Sequence, residues 1–206
     1  MKKEIVLTKL ERQLLMYDIF SQCTVIEFVE ITNLLPINKK MIERDIKDLT
    51  DAGLISVTFS KKENGYIHSG EPKFCETETN ERRKEHLMRL VRLATLMREL
   101  DSNWSDDYEE MLELEIKEGE TYFSEAEKLT HYTAVDCYYE LFPDASEKDW
   151  KRDFETLNHI GYTIYCTEKG NYYTSDMFES HYYDMLLEDF GVRRREDGKL
   201  VREKDY

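Results

Sequence analysis

Six cations lie in two short stretches of the first third of the chain: Lys39, Lys40, Arg44 and Lys47, then Lys61 and Lys62. Ammonium and guanidinium groups at such spacing suit phosphate oxygens, and a Lys or Arg on a helix can also reach the edge of a guanine. Other chemistry is poorly represented. The eight glycines form no phosphate-cradling loop, and no Ser-His-Asp order or carboxylate pair stands out. His68, His86, His131, His159 and His181 lack ligand spacing, and Cys23, Cys75, Cys137 and Cys166 include no CxxC pair. The residues therefore point away from an enzyme, a cofactor or a metal site.

An element that presents these cations must hold them on one face. Asn38 is a suitable N-cap, and Met41, Ile42, Ile46 and Leu49 recur at helical spacing. Gly53 stands where such a helix would stop in the left-handed conformation. Upstream, residues 8–22 read as a first helix with Leu10, Leu14, Tyr17, Ile19 and Phe20 on its apolar face. Residues 24–31 start as a strand and turn into a second helix, which Pro36 ends. Downstream, residues 54–60 alternate as a strand, Asn64-Gly65 supplies a turn, and residues 66–68 return. Three helices followed by a hairpin predict a winged helix-turn-helix.

The pattern occurs twice. Residues 145–164 lie over residues 37–56 at a constant offset of 108, matching Asn38 with Ser146, Lys40 with Lys148, Arg44-Asp45 with Arg152-Asp153, Leu49 with Leu157 and Gly53 with Gly161. Leu141-Phe142-Pro143 answers Leu34-Leu35-Pro36, and residues 166–173 repeat the turn and return strand. A repeat this long predicts a duplicated motif. The expected fold is thus mainly α with small β hairpins (α+β), as two tandem winged helix-turn-helix domains joined by a long helix. The domains are residues 1–74, residues 75–176 and a C-terminal helix and charged tail over residues 177–206. The joining helix covers residues 81–100. Its stripe of Leu87, Leu90, Val91, Ala94, Met97 and Leu100 is widened by Leu93 and Leu96, enough for two partners or a subunit interface. Residues 101–120 predict a further helix packed at the rim. At the chain end, Asp197-Gly198 could close a hairpin.

Charge separates the two copies. The net charge of −15 disfavours nucleic acid as a whole, yet residues 1–74 balance 11 Lys+Arg against 11 Asp+Glu. Residues 75–206 carry 18 against 33, and residues 101–128 alone hold 11 acids and two lysines. No apolar run is long enough to span a membrane, and no apolar segment follows the N-terminal lysines as in a signal peptide, so a cytoplasmic protein with reduced thiols is expected.

Residues 37–46 (INKKMIERDI) and 145–154 (ASEKDWKRDF) resemble the recognition helix of DeoR-type winged helices, which bacterial transcriptional regulators with a WYL domain share. The likeness covers about 60 residues of each copy, and no Trp-Tyr-Leu tripeptide is present. It implies a bacterial DNA-binding regulator in which Asn38, Lys40, Met41 and Arg44 cap the helix or face DNA. Their counterparts are Ser146, Lys148, Asp149 and Arg152. Met41 and Asp149 replace the family's usual Thr, and an acid at 149 would repel phosphate.

The expected DNA-binding set is Asn38, Lys39, Lys40, Met41, Arg44, Lys47, Lys61 and Lys62, with Ser146, Lys148, Lys151 and Arg152 as a weaker second set. Duplex DNA, a second copy of the chain and a protein docked on the second domain are the expected partners. Plainer readings stand beside these. The lysines can be a solvated face with ordinary ion pairs, and Asp45 and Asp153 can make contacts inside their own domains. The tyrosines gathered after residue 130 can be core packing rather than a stacking platform. A tandem winged helix can also bind only protein, as a chromosome-assembly subunit or a DNA-mimicking inhibitor does.

Overall fold

The computed structural model describes residues 7–35, 37–118, 133–166, 170, 172–174, 192–194 and 200–202, with side chains left aside at 101–118, 165, 173, 192–194 and 200–202. It is α-rich with small antiparallel sheets, an α+β chain. The chain divides into two compact units, residues 1–94 with 181–206 and residues 95–180.

In the first unit, helix α1 (Lys9–Gln22) opens with a capping box. The Thr8 hydroxyl accepts from the Glu11 amide, while the Thr8 amide donates to the Glu11 carboxylate at 2.7 Å. Strand β1 (Val25–Glu27) leads directly into the seven-residue α2 (Phe28–Leu34). Leu35 is extended, as the residue before Pro36 is pushed to be. Helix α3 (Lys39–Asp51) starts at Asn38, whose side chain accepts from the Met41 amide at 3.1 Å. It stops at Gly53, with φ +67°. Ile42, Ile46 and Leu49 are buried against a core that includes Leu14, Ile19, Phe20, Ile31 and Leu34. Each such side chain contributes about 1.5–3 kcal/mol through removal from water.

Strands β2 (Val57–Ser60) and β3 (Gly65–His68) form the hairpin that the sequence predicts. Two details differ. The sheet has three strands in the order β1-β3-β2, because β1 pairs antiparallel to β3 with Ile26 opposite Tyr66. The turn also spans four residues, 61–64, and only Asn64 is left-handed, at φ +46°. Gly65 serves a different purpose from that of a tight-turn glycine. A Cβ there would strike the Ile26 carbonyl oxygen and the Glu27 Cα at 2.7 Å, so its lack of a side chain lets β1 approach.

Helix α4 (Glu81–Glu118) is continuous, so the expected helices at 81–100 and 101–120 form one element. It runs through the cap-type residues Asp101, Ser102 and Asn103, and the boundary between units falls inside it. Leu93 and Leu96 are as fully buried within the chain as Leu87 and Leu90.

In the second unit, α5 (Ala134–Leu141) is capped by Thr133 and Asp136. Helix α6 (Glu147–His159) follows, and β4 (Ile164–Cys166) pairs with β5 (Tyr172–Thr174). Trp150, Phe154 and Tyr172 form an aromatic cluster with ring centroids 4.9–5.9 Å apart. Tyr138 and Tyr162 are buried, so these tyrosines pack, while Tyr139 is exposed. In the C-terminal stretch grouped with the first unit, strands β6 (Val192–Arg194) and β7 (Leu200–Arg202) pair antiparallel, the hairpin expected near Asp197-Gly198, whose turn lies outside the described residues. The helix expected at Met177–Phe190 also lies outside them.

Candidate nucleic-acid interface

Helices α3 and α6 correspond residue for residue. Both have 13 residues, beginning and ending 108 positions apart. Both end in the same way: the Gly53 amide bonds the Thr50 carbonyl and the Leu54 amide that of Leu49, as Gly161 bonds Asn158 and Tyr162 bonds Leu157. Ile42, Asp45, Ile46 and Leu49 are buried in one, and Trp150, Asp153, Phe154 and Leu157 in the other. An acid at the same inward position in each helix is unusual enough to require a partner, since an unpaired buried carboxylate is costly.

The partners differ. Asp45, 1% exposed, receives Arg12 of α1 through two bonds, Nε to Oδ2 at 2.5 Å and Nη2 to Oδ1 at 3.0 Å. Gln13 Nε2 adds a third at 2.9 Å. Asp153, fully buried, accepts from the Tyr138 hydroxyl at 2.8 Å, and Arg152 of its own helix lies 3.6 Å from its other oxygen. Both aspartates thus make the contacts within their own unit that the plainer reading expects.

Outward-facing cations differ in consequence. Lys40, Arg44 and Lys47 are exposed and share one face of α3 by their i, i+4 and i+7 spacing. Lys40 and Arg44 make no ion pair with another described residue, nor does exposed Lys61 in the hairpin turn. Lys39, Lys47 and Lys62 meet Glu43, Asp51 and Glu63 at 3.5–3.9 Å. All three lysines are more than half exposed, and pairs of that kind hold a side chain by less than about 1 kcal/mol. Lys39 also lies 5.9 Å from the Phe28 ring centre. Asn38 is committed to its cap, and Met41 is half-buried.

On α6 the corresponding groups are engaged. Asp149 closes a capping box with Ser146 at 2.7 and 3.0 Å. Its other oxygen takes Arg152 at 3.1 Å. Lys151 bonds Glu147 and stacks 5.3 Å from the Trp150 ring centre. Lys148 is exposed.

A polar cluster that the sequence did not disclose fixes α3 along its flank. Asp48 accepts from Lys9 at 2.6 Å and Gln13 at 3.0 Å on one oxygen, and from Arg83 at 2.7 Å on the other. Burial pushes the Asp48 carboxyl up, but the bonds from Lys9, Arg83 and Gln13 outweigh it and hold it below the usual range. Arg83 also bonds Asp51 at 2.6 Å and Glu78, which raises its already high pKa. Gln13 Nε2 donates to Asp45 and Asp48, so its Oε1 must accept from His86 Nε2 at 2.7 Å. Apart from Arg83–Glu78, five residues apart, the pairs are separated by 32 to 73 residues, beyond any local spacing rule. His68 is likewise occupied, its Nε2 donating toward the Phe20 and Cys23 carbonyls at 2.9 and 3.1 Å. Among the described residues no cluster of His, Cys, Asp or Glu could hold a metal, and no helix is long and apolar enough to cross a membrane.

Comparison with family models, curated proteins and solved structures returns no match.

Proposed function

We propose that the first unit is a winged helix-turn-helix that binds duplex DNA in a transcriptional regulator, with α3 in the major groove and the Lys61–Lys62 turn on the backbone. The observation that carries this reading is the contrast between the copies. Arg44 and Lys61 carry no ion pair to a described residue, while Arg152, the counterpart of Arg44, meets Asp149 at 3.1 Å; Lys40 and its counterpart Lys148 are both exposed. The order helix, strand, helix, helix, strand, strand supports the winged assignment, as does the zero charge balance of residues 1–74. Phosphate contacts would come from Lys39, Lys47, Lys61 and Lys62, and base-edge contacts from Lys40 or Arg44. Two copies on a two-fold axis would read paired half-sites about 34–36 Å apart.

The second unit, on this reading, is the same motif turned toward protein. Its Asp149 and the acidic stretch at 101–128 oppose phosphate, which favours dimerisation or partner docking over DNA contact. The rival is a protein-binding tandem winged helix with no DNA affinity at all. A mobility shift with random duplex DNA across a salt series separates the two. Binding that weakens steeply as salt rises supports the regulator. No binding at about 50 mM salt, where phosphate contacts are strong, rejects it.

A further inference from the structure

Phe59 of β2 is a large apolar side chain left 45% exposed. One exposed apolar side chain is ordinary on a protein surface, but the setting of this one is specific. Strand β3 is central in its sheet, so β2 lies at the edge. Phe59 pairs across the strands with Tyr66, ring centroids 5.3 Å apart at 75°, and Tyr66 is buried against the Phe20 ring of α1 at 6.1 Å. The Phe59 ring is therefore held in place before any ligand arrives. Burial and the Glu43 charge push the Tyr66 phenol up, which puts Tyr66 within electrostatic reach of the outward side of α3. Glu43 lies one turn from both Lys39 and Lys47. On its other side β2 ends at Ser60, and exposed Lys61 and Lys62 open the turn. An anchored apolar ring thus adjoins the hairpin cations and, through Tyr66, the cationic face of α3.

We infer that Phe59 is an apolar DNA contact of the first unit, packing on the deoxyribose of the strand whose phosphates Lys61 and Lys62 hold. The inference rests on the DNA-binding reading and extends it from charge to the sugar. Lysines at the end of an edge strand oppose the addition of a further protein strand, yet they suit a polyanion. A nucleic-acid backbone alternates phosphates with apolar sugar edges, so a ring followed closely by two lysines matches that alternation. Covering the exposed part of the ring removes apolar area from water and releases no counterion. Phe59 therefore adds affinity that salt does not weaken. Because every nucleotide carries the sugar, the contact adds no base preference.

The test uses the full chain with Phe59→Ala, Phe59→Leu and Lys61→Ala, bound to duplexes of only A·T or only G·C pairs between about 50 and 200 mM salt. Phe59→Ala is expected to weaken binding by about three- to tenfold at every salt concentration and on both duplexes, with the salt slope unchanged. Phe59→Leu should keep most of the native affinity, and Lys61→Ala should lower the slope by about one. Native affinity in folded Phe59→Ala overturns the inference. So does a loss confined to the A·T duplex, which would assign the ring to a thymine methyl. Altered sedimentation of free Phe59→Ala with DNA affinity kept also overturns it, since the ring would then serve a contact between copies. If Phe59→Ala does not fold, nuclear Overhauser contacts between the Phe59 ring and deoxyribose protons in the native complex decide. Their presence supports the inference and their absence overturns it. Native protein that binds neither duplex rejects the regulator reading together with this inference, whereas loss of the Phe59 effect alone leaves that reading standing.

Discussion

The Asp48 carboxylate and the Arg83 guanidinium, 35 residues apart in sequence, meet at 2.7 Å and tie α3 to the first turn of α4. Arg83 simultaneously holds Asp51 and Glu78. One side chain thus fixes the C-terminal half of α3 through acids that flank the cationic face, Lys47 lying 3.8 Å from Asp51. Arg83→Ala leaves three acids without their common partner, one of them largely buried. It is expected to lower stability by about 1–3 kcal/mol, read as a shift of the urea midpoint at neutral pH. An unchanged midpoint would mean that α3 is held by its apolar face alone.

The same cluster makes the first unit sensitive to acid. Burial and the Lys9 ammonium hold His86 below its ordinary value, so the unfolded chain binds a proton there that the folded chain does not. That contribution is full above about pH 6.5 and is lost as pH falls through the lowered value. Asp48, also lowered, adds a second contribution that is full above the ordinary aspartate range and is lost as pH falls through its depressed value. Melting temperature should decline in two stages between pH 7.5 and 3, by about a few degrees for the first. His86→Gln should remove the upper stage and keep the lower one.

Gly65→Ala places a methyl against the Ile26 carbonyl oxygen and the Glu27 Cα, both backbone and therefore unable to swing away. Separation of β1 from β3 is the expected result, at a cost of about 1–3 kcal/mol in thermal unfolding. A substitution at Asn64, the actual left-handed turn residue, should cost less when made to glycine than when made to valine.

In the second unit, Tyr138→Phe removes the hydroxyl that reaches the fully buried Asp153. A loss of about 1–3 kcal/mol is expected, and Tyr138→Phe/Asp153→Asn should recover part of it, since removing the charge relieves the unmet demand. Additive losses in that pair would show that the bond contributes little.

For DNA binding, Lys40→Ala/Arg44→Ala/Lys61→Ala should abolish detectable association with a random duplex at about 150 mM salt and reduce the salt slope by up to three. Lys148→Ala/Lys151→Ala/Arg152→Ala in the other copy should leave both affinity and slope unchanged. Equal losses from the two sets would place α6 on DNA as well.

Local chemistry accounts for how much of α3 could be read in advance. The Asn38 cap, the Met41-Ile42-Ile46-Leu49 spacing and the left-handed Gly53 are short-range devices, legible within 16 residues of chain. The repeat at offset 108 was equally legible, because identical local geometry needs similar residues at similar spacing. Gly65 misled for the same reason: next to Asn64 it resembles a tight turn, and only the strand lying across it gives its role. At Leu100 the composition changes and Asp101-Ser102-Asn103 are cap-type residues, yet α4 runs on through them, so neither signal marks its end.

By itself, then, the sequence determined the helices, their caps, the hairpin and the regional charge, all of which follow from neighbours a few residues apart. The tertiary structure alone decided which acids those helices bury and who neutralises them. Asp45 and Asp153 stand in nearly the same local sequence, yet α1 supplies Arg12 and Gln13 to one while α5 supplies Tyr138 to the other. Which group meets each buried acid is settled by the helix packed against it. It depends on side chains from another helix, and no spacing rule encodes it.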